Sequence, residues 1–167
     1  MSQLINQMGT PEKKVVATEE YMPVIEELVA EGNVVPFLIT GNSMSPFMIH
    51  TRDTILLKKP EFPLKKGTMA FFKRVNGHYV MHRICKVKDG KYYLVGDAQT
   101  AIEGPILESQ IFAVVCGVKR KGKLEEPGTF WWEFFEKVWL PLRPVRPYIW
   151  RVYSLLRHPV GTLMKGK

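Results

Sequence analysis

The chain has 167 residues and a mass of 19.2 kDa, which is enough for one domain of ordinary size with appendages and too little for two full domains. Hydrophobic residues make up 46% and charged residues 24%, a balance that excludes disordered, collagen-like and mostly membrane-embedded chains. The formal net charge of +8 suits an anionic membrane surface or a nucleic acid, but a basic balance alone identifies neither.

The N-terminal segment, residues 1–33, predicts one short amphipathic helix. Thr18 is a candidate N-cap, Glu19 and Glu20 suit the first turn, and apolar residues recur at helical spacing until Gly32. The segment lacks the apolar stretch of a cleaved signal peptide, and no run in the chain reaches the roughly 18 apolar residues of a spanning helix. We therefore expect a cytoplasmic protein without a transmembrane helix, whose contact with a membrane would be peripheral and on the inner face.

Residues 34–125 predict a β-rich domain. Six short runs with strand character lie between Val34 and about Val118, separated by Pro, Gly, Asn and Asp. They are VVPFLIT, TILLKK, MAFFKR, HYVMHRICKV, KYYLVGD and IFAVVCGVK. Two of the turns between them, Asn76-Gly77 and Asp89-Gly90, are typical of antiparallel hairpins. The prediction is a mainly β fold, with a compact antiparallel sheet or small barrel, a short N-terminal helix and a helical C-terminal tail.

Residues 126–167 form an aromatic, basic tail. Thr129 can cap a helix, and three prolines then interrupt the chain before a second helical run from Tyr148 to Arg157. The residues expected on one side of the first helix are Phe130, Trp131, Phe134, Phe135 and Val138. From Thr129 onward, seven basic residues and two acidic ones leave five of the eight net positive charges in the tail. The tail is predicted either to cover the β-domain or to contact an anionic membrane.

The stretch GNSMSP, which follows the first predicted strand, contains the candidate nucleophile Ser43. A serine hydroxyl attacks a carbonyl poorly until a base takes its proton. Among the four histidines, His82 lies inside the strand YVMHRI, where alternation directs it to the same face as two β-branched residues. A lone histidine there would be interpreted as a core residue, but Asp97 ends the next strand, within reach of an imidazole. The other histidines, His50, His78 and His158, are interpreted as solvated or structural.

Taken together, GNSMSP, Arg52-Asp53, YVMHRI and Gly96-Asp97 resemble, in order and spacing, the serine peptidase superfamily shared by LexA-type self-cleaving repressors and signal peptidase I. The resemblance implies a mainly β fold with an exposed groove for an extended peptide. It further implies that Ser43 is the nucleophile, His82 the general base and Asp97 the acid that orients it. If Asp97 does not orient His82, Asp53, Glu103 or water is left for that role. Most bacterial members have a lysine as the base, so His82 resembles the branch of the endoplasmic-reticulum signal peptidases.

The resemblance also assigns the surroundings of the nucleophile. Gly41 occupies the position where signal peptidases tend to have a serine that donates to the oxyanion, and Met44 would line the substrate groove. Donors to the oxyanion beyond the N–H of Ser43 are left open. Asp53 matches a turn that orders the strand after the nucleophile, and we assign it a structural role.

The leading prediction is a serine endopeptidase that cleaves a peptide or protein precursor. A LexA-like self-cleaving regulator is disfavoured for two reasons. One helix before the strands is too little for a helix-turn-helix domain. Self-cleaving members also cut an Ala-Gly or Cys-Gly bond upstream of the nucleophile, whereas the only such pair in this sequence, Cys116-Gly117, lies downstream of Ser43. No nucleic-acid partner is therefore expected.

A catalytically silent peptide-binding or membrane-surface module of the same fold stays open as a non-enzyme alternative. A third alternative, Cys85 as the nucleophile, is ranked last because Cys85 faces away from His82. Neither cysteine has ligands at metal-site spacing, so no metal or cofactor is predicted.

Overall fold

One antiparallel sheet forms the centre of the structure, a computed structural model that describes residues 18–157, with side chains described for 21–154. The strands are β1 (Val35–Leu38), β2 (Thr54–Lys58), β3 (Met69–Lys73), β4 (Tyr79–Lys88), β5 (Lys91–Val95), β6 (Glu103–Ile106), β7 (Ile111–Arg120) and β8 (Lys123–Glu125). Their order across the sheet is β1-β2-β7-β3-β4-β5-β6, and β8 pairs with the end of β7. The predicted mainly β, antiparallel fold is confirmed.

Helices lie at both ends of the described chain. Helix α1 spans Thr18–Ala30, so it begins at the residue that was predicted to cap it. Helix α2 spans Phe130–Phe134 and continues as a wider π-helical turn over Phe135–Trp139. Helix α3 spans Arg146–Arg157 after a short 3-10 turn at Arg143–Val145. Within residues 18–157, no helix combines the length and apolar character needed to span a bilayer.

The hairpin from β4 to β5 confirms the turn predicted at Asp89-Gly90. Both residues have positive φ, 51° and 69°, as a two-residue type I′ turn requires, and Lys88 pairs with Lys91 across it.

All six predicted runs form strands, whereas β6 and β8 were not predicted. Strand β6 has the sequence EGPI, which shows no alternation, and its proline is tolerated because β6 is an edge strand.

A hydrophobic core on one face of the sheet includes residues from all three sequence segments. Its members include Met22 and Val29 of α1, Phe47 of the loop after β1, and Trp132 of α2, each at most 5% exposed. A second cluster lies on the opposite face and includes Ala70, Phe72, Ile84, Leu94 and Ile111. The β-domain therefore packs against both α1 and the first part of the tail.

The predicted apolar face of the first tail helix was right for Phe135, which is buried, and for Phe134, which packs against the core, but wrong for three other residues. Phe130, Trp131 and Val138 are 72%, 43% and 45% exposed. The residues that point into the core are Trp132, Phe135 and Trp139. These inward residues also follow helical spacing, so periodicity alone could not choose between two aromatic stripes. The choice depends on tertiary contacts, such as the edge-to-face packing of Trp132 on Phe47, with ring centroids 6.2 Å apart.

Candidate active site

The nucleophile loop, residues 41–48, connects β1 to the turn before β2. Its end is anchored because Phe47 and Met48 are fully buried and the N–H of Met48 donates to the carbonyl of Met44 at 3.0 Å. Ser43 is half-buried at the start of this turn and lines a cleft of about 260 Å³. His82 lines the same cleft, so the fold brings the predicted nucleophile and the predicted base to one site.

The two predicted groove residues also line this cleft. Gly41 has a φ of +95°, a conformation that favours glycine, and its N–H donates to Nδ1 of His50 at 2.9 Å. The amide of Gly41 is thus engaged by a histidine that we had interpreted as solvated or structural. Met44 is 2% exposed and belongs to the core cluster, so it offers the cleft only a small part of its side chain.

Asp53 holds the nucleophile loop at its far end. Its buried carboxylate accepts hydrogen bonds from the N–H of Ile49 at 2.9 Å and from the side chain of Arg52 at 2.8 and 2.6 Å. Burial alone would raise the pKa of Asp53, but the hydrogen bonds from Arg52 and Ile49 outweigh that effect and lower it. Asp53 therefore stays ionised and ties the loop to the start of β2.

His82 is 3% exposed in β4, opposite Ala70 of β3. Burial is the main cause that lowers its pKa, the carboxylates of Glu103 and Asp97 oppose the shift, Arg74 adds to it, and the net result is a pKa of about 4. The imidazole is therefore neutral at neutral pH, the state in which it can accept a proton from a serine hydroxyl. Nδ1 makes no hydrogen bond among the described residues and lies 3.6 Å from Oε2 of Glu103.

The carboxylate of Asp97 faces Arg83 rather than His82. Oδ1 accepts from Nε of Arg83 at 3.1 Å and Oδ2 from Nη2 at 3.0 Å, and both side chains are fully buried. This bidentate pair follows from the alternation of β4, which directs His82 and Arg83 to opposite faces of the sheet. The charge of Asp97 raises the pKa of His82, whereas the side-chain hydrogen bonds of Asp97 within the described residues are made with Arg83.

The turn after β5, residues 96–99, packs directly against the nucleophile loop. The N–H of Ala98 donates to the carbonyl oxygen of Ser43 at 2.8 Å. A Cβ on Gly96 would lie 2.5 Å from that same oxygen, so only glycine allows the two segments to approach this closely. The Gly-Asp element that was predicted to carry the acid thus contacts the backbone of Ser43.

Glu103 is the carboxylate nearest to the Nδ1 atom of His82 among the contacts of the described residues. Arg74 holds it in a bidentate pair, with Nε–Oε1 and Nη2–Oε2 distances of 2.5 and 2.6 Å. The sequence indicated Glu103 only as an alternative to Asp97, together with Asp53 or water, because Glu103 lies in β6, the strand without an alternation pattern. The sequence did not indicate a site role for Arg74 either. It directly follows β3, and an arginine next to a turn usually points to solvent.

Cys85 differs from a reactive cysteine in its surroundings. Burial raises the pKa of its thiol, and Sγ lies 3.2 Å from the carbonyl oxygen of Tyr93. The register between β4 and β5 shifts at this residue, which forms a bulge. These features disfavour a cysteine nucleophile, as the strand alternation had indicated.

Residues 3–116 match the family model described as Peptidase S24-like, which covers more than half of the 167 residues. The chain belongs to the Peptidase S24-like family. Membership in the S24-like family agrees with the superfamily resemblance of GNSMSP and YVMHRI and indicates serine peptidase or LexA-like self-cleaving chemistry. No match was found among curated proteins or among solved structures. The S24-like match ends within β7, so α2 and α3 lie outside it.

Proposed function

We propose that this S24-like protein is a serine endopeptidase in which Ser43 is the nucleophile and His82 the general base. The observation that carries the proposal is the cleft that Ser43 and the neutral, buried His82 line together. Ser43 Oγ attacks the scissile carbonyl carbon while its proton passes to His82, and His82 then protonates the leaving amine. Water hydrolyses the acyl-enzyme by the same steps. A hydrogen bond between Ser43 Oγ and His82 stays a prediction.

Glu103 is the better candidate than Asp97 for the residue that orients His82. It faces Nδ1, which leaves Nε2 to accept the proton of Ser43, and its charge stabilises the imidazolium that forms. Both carboxylate oxygens of Asp97 already accept hydrogen bonds from Arg83, which lies on the opposite face of the sheet from His82. We therefore propose Ser43, His82 and Glu103 as the triad, with Asp97 as a structural residue beneath it.

An extended peptide is the proposed substrate, because the cleft beside Ser43 continues past His82. Arg74, His82 and Gln99 line both this cleft and an adjoining one of about 540 Å³. The adjoining cleft is walled by the 98–103 segment and by Pro147 and Trp150 of α3. Two joined clefts on either side of a base can hold residues on both sides of a scissile bond.

A fluorophosphonate probe tests the proposal without knowledge of the natural substrate. Attack by Ser43 Oγ forms an O–P bond and expels fluoride, and His82 takes the hydroxyl proton. The full-length protein should be labelled once, on the peptide that contains Ser43. Ser43→Ala should abolish labelling, and His82→Gln should slow it by several orders of magnitude, because triad members act as a unit.

Ser109→Ala is the matched control, because this serine lies in a 3-10 turn outside the cleft. It should be labelled at the wild-type rate. Failure of the wild-type protein to react, while folded, would refute the endopeptidase proposal and favour a silent peptide-binding module of the same fold. Labelling on a serine other than Ser43 would refute the assignment of the nucleophile.

Self-cleavage is the second function that family membership allows. The Cys116-Gly117 bond lies in β7, where Gly117 pairs with Leu56 of β2 in the interior of the sheet. Cleavage of that bond by the same molecule would require β7 to leave the sheet. The position of this bond inside the sheet therefore favours cleavage of a separate substrate molecule over self-cleavage.

We further propose that α3 makes a peripheral contact with an anionic membrane surface. Tyr148 and Val152, 69% and 56% exposed, present apolar surface beside the exposed Arg151. Aromatic and basic residues together suit the headgroup region of anionic lipid. Arg146 does not contribute to this surface because it is 1% exposed.

A further inference from the structure

A buried arginine of the tail contacts the turn that follows β5. Arg146, the first residue of α3, is 1% exposed. Its Nη1 donates to the carbonyl oxygens of Gly96 at 2.9 Å and Gln99 at 2.8 Å, and its Nη2 donates to the carbonyl oxygen of Trp139 at 2.9 Å. One guanidinium group therefore fixes both ends of the 96–99 turn and joins them to the end of the π-helical turn that follows α2.

Trp139 holds the same turn from a second direction. Its Nε1 donates to the carbonyl oxygen of Asp97 at 2.7 Å, and the guanidinium of Arg146 lies 5.2 Å from the centroid of its ring. The side chain of Asp97 is meanwhile held by Arg83. The tail thus restrains three carbonyl groups of a turn that has no regular secondary structure of its own.

This restraint extends to the nucleophile through one further contact. The N–H of Ala98, in the middle of the 96–99 turn, donates to the carbonyl oxygen of Ser43. Because Gly96 also approaches that oxygen without room for a Cβ, a displacement of the turn must move the backbone that carries Ser43. Shifts of about 1 Å at a reacting group can cost about 100-fold in rate.

Burial of a guanidinium group carries a desolvation penalty that attachment of a helix does not by itself require. Burial lowers the pKa of Arg146, and none of the ion pairs among the described residues includes it. An apolar side chain of similar volume would attach α3 without the cost of removing a charge from water. The planar fork of arginine, in contrast, can donate to several diverging carbonyl groups at once.

We propose that Arg146 and Trp139 are positioning residues for Ser43, acting through the 96–99 turn. The proposal rests on the endopeptidase function proposed above. Both residues lie beyond residue 116, so the S24-like match does not include them. The tail is accordingly part of the machinery that places the nucleophile, in addition to any contact that its outer surface makes with lipid.

The experiment compares fluorophosphonate labelling of full-length variants across pH, expressed per folded molecule. Arg146→Met should lower the plateau rate constant by about 10- to 100-fold, because the carbonyl oxygens of Gly96, Gln99 and Trp139 lose their donor. Arg146→Lys keeps the charge but cannot reproduce the fork, so it should recover only part of the rate. Trp139→Phe removes one N–H and keeps a ring in the core, and it should lower the plateau several-fold even if Arg146→Met fails to fold.

The pH at half-maximal rate should stay at the wild-type value in these variants, because the groups around His82 are unchanged. Lys137→Met is the matched control, because Lys137 is an exposed basic residue of the tail that pairs with Glu133 and does not contact the 96–99 turn, and it should keep the wild-type profile. A wild-type plateau per folded molecule in Trp139→Phe, together with reduced thermal stability, would overturn the proposal and leave Trp139 and Arg146 as attachments for the tail. Absence of labelling in the wild-type protein would instead refute the endopeptidase function on which the proposal rests.

Discussion

His82 connects the chemistry of the proposed site to the stability of the fold. The imidazole is almost completely buried, and only the field of Glu103 and Asp97 opposes the loss of its charge. Burial keeps the base neutral without requiring a high pH, which is the state that a general base needs before each turnover. The same burial makes protonation of His82 unfavourable in the folded state.

We expect the free energy of unfolding to depend on pH through His82. Its pKa is about 4 in the folded state and about 6.5 when unfolded, so the unfolded state binds the proton first. Stability contributed by the neutral imidazole is therefore fully present above pH 6.5 and lost as pH falls toward 4. The loss should be on the order of 3 kcal/mol. Urea unfolding at several pH values measures it.

His82→Gln is the comparison for that measurement, because it removes the titrating group from the site. The difference between wild type and variant between pH 4 and 6.5 isolates His82 from other groups that titrate there. A wild-type protein whose stability follows the same pH course as the variant would show that His82 is not buried in its neutral form.

The two acidic residues near His82 should respond differently to loss of their charge. Glu103→Gln cannot stabilise the imidazolium, so the fluorophosphonate labelling rate should fall by about 100- to 10,000-fold with the fold intact. Since Glu103 raises the pKa of His82, the acid limb of the labelling profile should also move to lower pH in Glu103→Gln.

Asp97→Asn leaves the buried Arg83 without its carboxylate and should lower the free energy of unfolding by about 3–5 kcal/mol.

Glu61→Gln serves as the control for removal of an exposed carboxylate, since Glu61 pairs with Lys58 on the surface. Labelling rates are compared per folded molecule, with unfolding followed by fluorescence. If Glu103→Gln reacts at the wild-type rate while folded Asp97→Asn does not, the orienting acid is Asp97, as the superfamily resemblance implies.

At the scale of elements, α2 and the π-helical turn that continues it are a part of the core rather than an attachment to it. Trp132, Phe135 and Trp139 are buried, and Phe47 of the nucleophile loop packs on the first two of them, with ring centroids 6.2 and 4.8 Å away. Burial of this helix therefore supports the loop that carries Ser43. A chain that ends at Gly128 would lose these contacts and expose the core.

Trp132→Ala should lower the free energy of unfolding by about 3–5 kcal/mol, because it leaves a cavity against Phe47. Phe130→Ala in the same helix should change it by less than about 0.5 kcal/mol, since Phe130 is 72% exposed. Guanidinium unfolding of the two variants provides the test. Equal losses in both would mean that α2 does not pack on the sheet through Trp132.

At the scale of the whole molecule, the two sides of the tail face different surroundings. The inner side contributes to the core and contacts the 96–99 turn, while the outer side of α3 exposes Tyr148, Arg151 and Val152. Because the inner side is committed to the fold, a membrane contact has to be tested by substitutions on the outer side, not by removal of the tail.

We expect the full-length protein to cosediment with vesicles of mixed phosphatidylglycerol and phosphatidylcholine and to be released by salt, because the attraction is partly electrostatic. The double variant Tyr148→Ser, Val152→Ser and the single variant Arg151→Ser should both bind more weakly. Val75→Ser, at a residue that is 99% exposed in the β3–β4 turn, is the control. Binding that is equal for neutral vesicles, or equal in all variants, would contradict the proposal.

The sequence by itself determined the six strands that alternate, the turn at Asp89-Gly90, the helix at Thr18–Ala30 and the family resemblance. These features depend on local spacing and on turn residues, which can be read along the chain. Ser43 and His82 could be chosen as candidates for the same reason, because each stands in a short motif, and their catalytic roles stay predictions.

Only the tertiary structure decided which charged groups face one another. Whether Asp97 meets His82 or Arg83 depends on the face to which each residue of β4 points and on how the 96–99 turn folds back over Ser43. Glu103 reaches His82 from an edge strand with no sequence pattern, and Arg146 reaches the same region from 50 residues beyond Gly96. Such contacts join distant parts of the chain through burial and hydrogen bonding, for which local spacing carries no signal.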